Sequence, residues 1–305
     1  MTHAKPDSED PYTVDASRFR IVIGEPAVEV APQPVHASYR TGNKVPDTVV
    51  DGWDGDFLGV RAAAIRGRMH RHGGQPRQDA FAVKVSEDDQ QLFIAVADGV
   101  SSARFAHAGA QAATEYAVSY LSQSYTLDFD EKNGWDLVKG ASWEITQRAE
   151  RASAAPEDLS TTLICAAITA TSDGMVGHVV SVGDSGAWLL GADDALVQVT
   201  RGKASEEGID NVRVHPLPFL PESLEIHAFT ASADEVLLVG SDGIGDPLGG
   251  GGGPLTMLLS DMLYRSKPSI LDFAHLVDFT KVGFDDDRSL IAVWPQHVYY
   301  DTGEN

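Results

Sequence analysis

Three apolar runs in this chain stop at an aspartate beside a small residue: Val96-Ala97-Asp98-Gly99, Val182-Gly183-Asp184-Ser185 and Val239-Gly240-Ser241-Asp242-Gly243. Short apolar runs bounded by turn residues read as buried strands. Any one of these ends is equally a plain polar turn, because Asp-Gly is a favoured turn dipeptide. Taken together, and with Asp285-Asp286-Asp287 just before the apolar run Ser289–Trp294, they predict carboxylates converging at one end of a sheet structure. Carboxylates packed that closely repel one another, so such a cluster makes sense only with cations between them.

Further strands are expected at Phe57–Ile65, Ala80–Val85, Gln91–Ala97, Thr161–Thr169, Gly177–Val182, Ala187–Leu190, Ala195–Val199 and Glu235–Val239. Helical periodicity covers Ala103–Leu121, part of Trp135–Arg151, Leu255–Tyr264 and Ile270–Thr280. Residues 1–50 carry prolines at 6, 11, 26, 32, 34 and 46 and read as a largely irregular extension. Within them, Phe19–Ile23 is expected as a lone strand docked on the body. The domain proper is expected over residues 51–300. Asp51, Asp54 and Asp56 lack the glycine and glutamate spacing of a calcium loop and read as a solvated turn. Gly249–Gly253 reads as a surface loop.

With 45 acidic and 23 basic residues the formal net charge is −22, which argues against a nucleic-acid backbone as partner. No apolar stretch approaches the ~20 residues of a membrane span, and the first residues lack the charged and apolar regions of a signal peptide. The expectation is therefore a cytoplasmic protein with neither nucleic acid nor membrane as partner. The single cysteine, Cys165, lies in the apolar run Leu163–Ile168 and is expected to be a small buried hydrophobe.

Hard cations such as Mn²⁺ and Mg²⁺ take oxygen ligands. A pair of them can deprotonate a bridging water and neutralise charge on a phosphoryl group. A glycine after the bridging aspartate leaves room for a backbone carbonyl to act as a further ligand, and Asp98-Gly99 offers that combination.

Arg77-Gln78-Asp79-Ala80-Phe81, Val96–Gly99, Ser160-Thr161-Thr162-Leu163, Val182–Ser185, Leu238–Gly243 and Asp286-Asp287-Arg288-Ser289 occur in the order seen in the PPM-type, or type 2C, Ser/Thr protein phosphatases, and the chain resembles that family over about residues 57–295. The resemblance implies an α+β fold, a central antiparallel β-sandwich flanked by helices. It implies a site for two Mn²⁺ or Mg²⁺ ions, with room for a third, and hydrolysis of phosphoserine and phosphothreonine in proteins phosphorylated by a Ser/Thr kinase. By the same resemblance Asp98 bridges both metals, Gly99 gives its carbonyl, and Asp242 and Asp286 bind the first metal. Asp184 joins Asp242 at the third metal, and Asp79 is a more distant or water-mediated ligand. Asp287 replaces Asp286 if the register shifts by one.

Several positions depart from the family pattern. Gln78 stands where many members carry Glu, and is expected to hydrogen-bond metal-bound water. Gly74 holds the place of the usual phosphate-binding arginine. Arg66, Arg68, Arg71 and Arg77 lie nearby, and Arg71 is the chosen substitute; His70 or His72 would donate to the phosphate or leaving group. Val100, Ser101-Ser102 and Gly186 replace other family residues, and the short stretch from Asp184 to Asp242 implies a reduced flap. These departures support a second reading, a catalytically weak or inactive domain retained for binding. A third, a serine hydrolase built on Gly183-Asp184-Ser185-Gly186, would need His107 as its base, or one of the His70/His72 pair.

Overall fold

The computed structural model describes residues 12–15, 20–39, 45–200, 215–264 and 266–296. Its strands are β1 (Tyr12–Asp15), β2 (Arg20–Ile23), β3 (Thr48–Asp54), β4 (Leu58–Ile65), β5 (Ala80–Val85), β6 (Gln91–Ala97), β7 (Leu163–Thr171), β8 (Gly174–Val182), β9 (Gly186–Leu190), β10 (Leu196–Gln198), β11 (Glu225–Ser232), β12 (Val236–Gly240) and β13 (Arg288–Pro295). The helices are α1 (Arg68–Gly73), α2 (Ala106–Ser124), α3 (Glu131–Ala152), α4 (Asp242–Leu248), α5 (Pro254–Leu259) and α6 (Ile270–Val277). Two antiparallel sheets form the centre, one of order β10-β9-β12-β13-β4-β3 and one of order β11-β8-β7-β6-β5.

Period-two alternation sorts the strand residues into layers. In β6, Leu92, Ile94 and Val96 enter the core between the sheets with Val60, Ile164, Leu237 and Ile291. Phe93, Ala95 and Ala97 turn the other way and meet α2 and α3. The outer face of the six-stranded sheet is covered by Ile244, Leu258, Phe273 and Leu276 of α4–α6. The result is helices, sheet, sheet, helices. The alanines of α2, among them Ala106, Ala110, Ala113 and Ala117, are buried and bring that helix close to its sheet.

The antiparallel ladders also explain why the motif loops meet. Ala80 opens β5 opposite Ala97 at the end of β6, and Leu163 opens β7 opposite Val182 at the end of β8. Gly240 at the end of β12 lies opposite Leu290 near the start of β13. Strand starts and strand ends carrying the aspartates thus fall at one end of the sandwich.

Some sequence expectations need correction. Asp51 and Asp54 belong to the edge strand β3, not to a solvated turn, and Asp54 pairs with Arg61 and Lys267. The boundary expected at residue 51 falls inside that strand. Phe19–Ile23 was expected as a lone strand; β2 instead pairs with β1, and it docks on the body through Ile23 N to Thr280 O at 2.9 Å, burying Ile21 and Ile23. Strand β11 and helices α1 and α4 were not anticipated. The helix expected over Leu255–Tyr264 changes after α5 to a wider π-type turn over Ser260–Tyr264. Gly249–Gly253 joins α4 to α5 at the surface. Much of residues 1–50 and of the expected reduced flap, positions 201–214, lies outside the described residues. Cys165 is fully buried, and burial pushes its thiol up to about 12.

Candidate metal centre

Asp98 follows β6 directly, and its backbone is gripped by the Ser160-Thr161-Thr162 segment. Its amide donates to Thr162 Oγ1 at 3.0 Å. Its carbonyl accepts from the Thr162 amide at 2.8 Å and from Thr161 Oγ1 at 2.9 Å. The side chain is thereby left to face the other carboxylates. Burial, then the charges of Asp79, Asp242 and Asp286, raise its pKa well above the ordinary carboxylate value, and it shares a hydrogen bond with Asp242.

Asp79, just before β5, is 2% exposed, and neither of its carboxylate oxygens has a hydrogen-bond partner of good geometry. Burial and the neighbouring Asp287, Asp286 and Asp242 push its pKa up to about 8, against some relief from the Ser241 hydroxyl. Asp242 opens α4; burial first, then Asp184, Asp286 and Asp246, raise its pKa against its hydrogen bond to Asp98. Asp286 is raised by burial and by Asp287. The sequence-predicted set Asp79, Asp98, Asp184, Asp242 and Asp286 is therefore brought together. Asp98, Gly99, Asp184, Asp242 and Asp286 line one part of the cleft with Thr162, Ser101 and Pro216. Asp242 and Asp286 line the adjoining part with His70, Gln75, Ser101 and Asp246.

Asp286 and Asp287 are resolved by their environments. Asp287 is 2% exposed; Oδ1 accepts from the Gly67 amide and Oδ2 from the Gln78 amide, each at 2.5 Å. His70 Nδ1 lies 2.9 Å from Oδ1. Both oxygens are occupied in tying three segments together. Asp286 is exposed to the cleft and accepts the Asp287 amide at 2.8 Å. The register is fixed by close approach: a Cβ on Gly67 would lie 2.3 Å from the Asp286 carbonyl carbon, and one on Gly243 would lie 1.9 Å from the Asp287 oxygen.

The phosphate-binding assignment to Arg71 does not fit. Its Nε donates to Asp47 at 3.1 Å and its Nη1 to Asp278 at 3.3 Å, and it lines neither part of the cleft. Arg66 is held by Asp47 and the carbonyls of Gln33 and His70, Arg68 lies 3.5 Å from Asp285, and Arg77 is buried with Nη1 on the Asp79 carbonyl. His70 does border the cleft; burial opposes its protonation, but Asp287, Asp286 and Asp79 outweigh it and raise its pKa. His72 is exposed on α1. Gln78 is buried with its side-chain oxygen unpartnered. Sequence reasoning missed Thr161 and Thr162 as anchors of Asp98, and Ser101 and Gln75 as cleft residues. The Ser-Thr-Thr motif was the available signal for the first pair. Among the described residues no serine hydrolase is built: buried Ser185 contacts Thr162 Oγ1 at 3.3 Å, and neither His107 nitrogen has a partner there.

Among the described residues no helix is long and apolar enough to cross a membrane. No curated protein matches the chain. Among solved structures, the fold is similar to a phosphatase from a pathogenic strain of Toxoplasma gondii, 16% identical, covering 82% of this chain and 95% of that one at a TM-score of 0.58. It is similar to RsbX in complex with magnesium, 13% identical, covering 81% of this chain and 100% of that one at 0.54. It is also similar to the catalytic domain of the serine/threonine phosphatase PstP with two manganese ions, 18% identical, covering 78% and 98% at 0.52. The protein phosphatase 2C family model matches residues 66–279. With the ordered motifs gathered at one end of such a sandwich, the chain belongs to the protein phosphatase 2C family.

Proposed function

We propose that this protein hydrolyses phosphoserine and phosphothreonine esters of proteins with the help of Mn²⁺ or Mg²⁺ held by Asp98, the Gly99 carbonyl, Asp242 and Asp286, with Asp184 available for a third ion and Asp79 as an outer or water-mediated ligand. The observation that carries this reading is the convergence of Asp98, Asp184, Asp242 and Asp286 beside a buried Asp79 that has no hydrogen-bond partner of good geometry among the described residues, with burial and mutual repulsion raising the pKa values of Asp79, Asp98, Asp242 and Asp286. An all-oxygen, strongly anionic donor set suits hard divalent cations. Such cations, when bound, supply Lewis acidity and lower the pKa of water.

The chain's own residues divide the work. Asp98 lies within the influence of Asp79, Asp242 and Asp286, the position a bridging carboxylate needs. Thr161 and Thr162 hold its backbone so that the side chain cannot rotate away with the loop. Asp287 fixes Gly67, Gln78 and His70 and so keeps Asp286 presented to the cleft. Among the described residues lining the two parts of the cleft, His70 is the one side chain able to carry positive charge. It takes over, on this reading, the phosphate-orienting or proton-donating task that an arginine performs elsewhere. The substrate is then a phosphorylated protein, the product of a Ser/Thr kinase, met in the cytoplasm as part of bacterial signalling.

The lack of an arginine among the described residues lining the cleft favours one alternative, a weak or inactive domain that binds phosphoproteins without turning them over. Assays of p-nitrophenyl phosphate and a phosphothreonine peptide with Mn²⁺, Mg²⁺ or EDTA separate the two. Metal-dependent turnover abolished by EDTA and by Asp98→Asn supports the hydrolase. No turnover by folded protein that binds Mn²⁺ moves the conclusion to the binding domain.

A further inference from the structure

A sizeable cavity lies apart from the carboxylate cleft. It has a volume of about 760 Å³ and lies between β3, β5, the first turns of α2 and the end of α3, with Asp79 in its wall. Part of its lining is apolar, including Val49, Phe81, Phe105 and Leu159. The rest is polar: Arg77, Arg148 and Arg151 line it with Asp79 and Glu115. Glu115 is already engaged by Arg148 at 3.3 Å and by Gln111 at 2.7 Å, and Arg151 lies 3.6 Å from Glu144.

Two polar side chains of this lining are buried. His107 is 6% exposed, and neither Nδ1 nor Nε2 has a hydrogen-bond partner among the described residues. Arg77 is also 6% exposed; Nε reaches the Pro46 carbonyl at 3.4 Å and Nη1 the Asp79 carbonyl. Buried donors without partners are costly and rare in native proteins. An unpartnered buried imidazole beside the Arg77 guanidinium on the wall of a roomy cavity points to a ligand that satisfies it.

We propose that this cavity is an effector site for a small organic carboxylate, whose apolar body packs on Phe81, Phe105 and Leu159 and whose head group accepts hydrogen bonds from Arg77 and His107. A monoanion fits better than a dianion, because one guanidinium and one imidazole N–H offset the desolvation of a single charge. Burial and the neighbouring Arg77 lower the His107 pKa to about 4, so the ring is neutral near pH 7 and donates from one nitrogen only. Arg77 also carries the coupling. It is bonded to the Asp79 carbonyl, and the next residue, Gln78, donates its amide to Asp287. An anion that draws on Arg77 therefore acts on the wall shared with the carboxylate cluster, and cation affinity and anion affinity change by the same factor.

The test uses the full chain and does not require it to hydrolyse anything. Benzoate and its uncharged counterpart benzamide are titrated calorimetrically into EDTA-treated and Mn²⁺-loaded protein. The expected result is saturable benzoate binding, with benzamide weaker by about tenfold, and an Mn²⁺ affinity that differs severalfold with benzoate present. His107→Phe, which fills the cavity, should abolish benzoate binding. If that variant does not fold, Arg148→Gln on the partly exposed rim should weaken benzoate severalfold, with a circular-dichroism melt confirming its fold. Absence of benzoate binding, equal binding of benzamide, or undiminished binding in the folded variants would overturn the site. Benzoate binding that leaves Mn²⁺ affinity unchanged would overturn its role as an effector site.

Discussion

Asp286 and Asp287 are chemically identical neighbours, and only their partners separate them. Asp287 is buried and spends both oxygens on the Gly67 and Gln78 amides and His70, whereas Asp286 faces the cleft. Their substitutions should therefore diverge. Asp287→Asn loses charge-assisted bonds in a buried setting and should lower the unfolding free energy by about 3 kcal/mol in urea denaturation. Asp286→Asn should leave stability intact while weakening Mn²⁺ binding by more than about tenfold, read by calorimetry. Equal stability of the two variants would contradict the clamp assigned to Asp287.

At the scale of elements, the centre depends on α4 starting against the loop that precedes β13. The amides of Ile244 and Gly245 both bond to the Ser241 carbonyl at 3.0 Å, and the Ser241 hydroxyl accepts the Ser289 amide at 3.0 Å. Gly243 sits between these contacts, where a Cβ would lie 1.9 Å from the Asp287 oxygen. Gly243→Ala should push α4 off this loop, cost about 1–3 kcal/mol and reduce Mn²⁺ affinity by displacing Asp242. A thermal melt and a metal titration check both effects, and an unchanged melting temperature would mean that α4 shifts freely.

For the whole molecule, the carboxylate cluster makes stability depend on pH and cations. Asp79 and Asp98 have raised folded-state pKa values, so without metal the folded chain binds more protons than the unfolded chain above the ordinary aspartate value. Stability then falls as pH rises, over a window reaching about 8 for Asp79. The raised His70 acts with the same sign, since its protonated form is favoured in the fold and that contribution is lost as pH rises. Metal-free protein should thus melt at progressively lower temperature between about pH 4 and pH 8, and Mn²⁺ should flatten that trend. A melting temperature that rises with pH under EDTA would refute the cluster's electrostatics. The same scale shows what was legible in advance. Strand β6 was readable to the residue, because burial on both faces leaves a continuous apolar run. The edge strand β3 alternates exposed and half-buried positions, so its Asp51 and Asp54 masked it. The aspartates at the strand ends were visible because turn chemistry and apolar runs are local properties of a chain. That Arg71 is engaged by Asp278 was not legible, because that partner is 207 residues away. The sequence by itself determined that strand-end carboxylates meet at one end of a sheet structure, and its family resemblance implied the sandwich. Only the tertiary structure decided which of Asp286 and Asp287 faces the cleft, which arginines are spent on other carboxylates, and that a cavity lined by Arg77 and His107 lies behind Asp79, because each depends on contacts between segments distant in sequence.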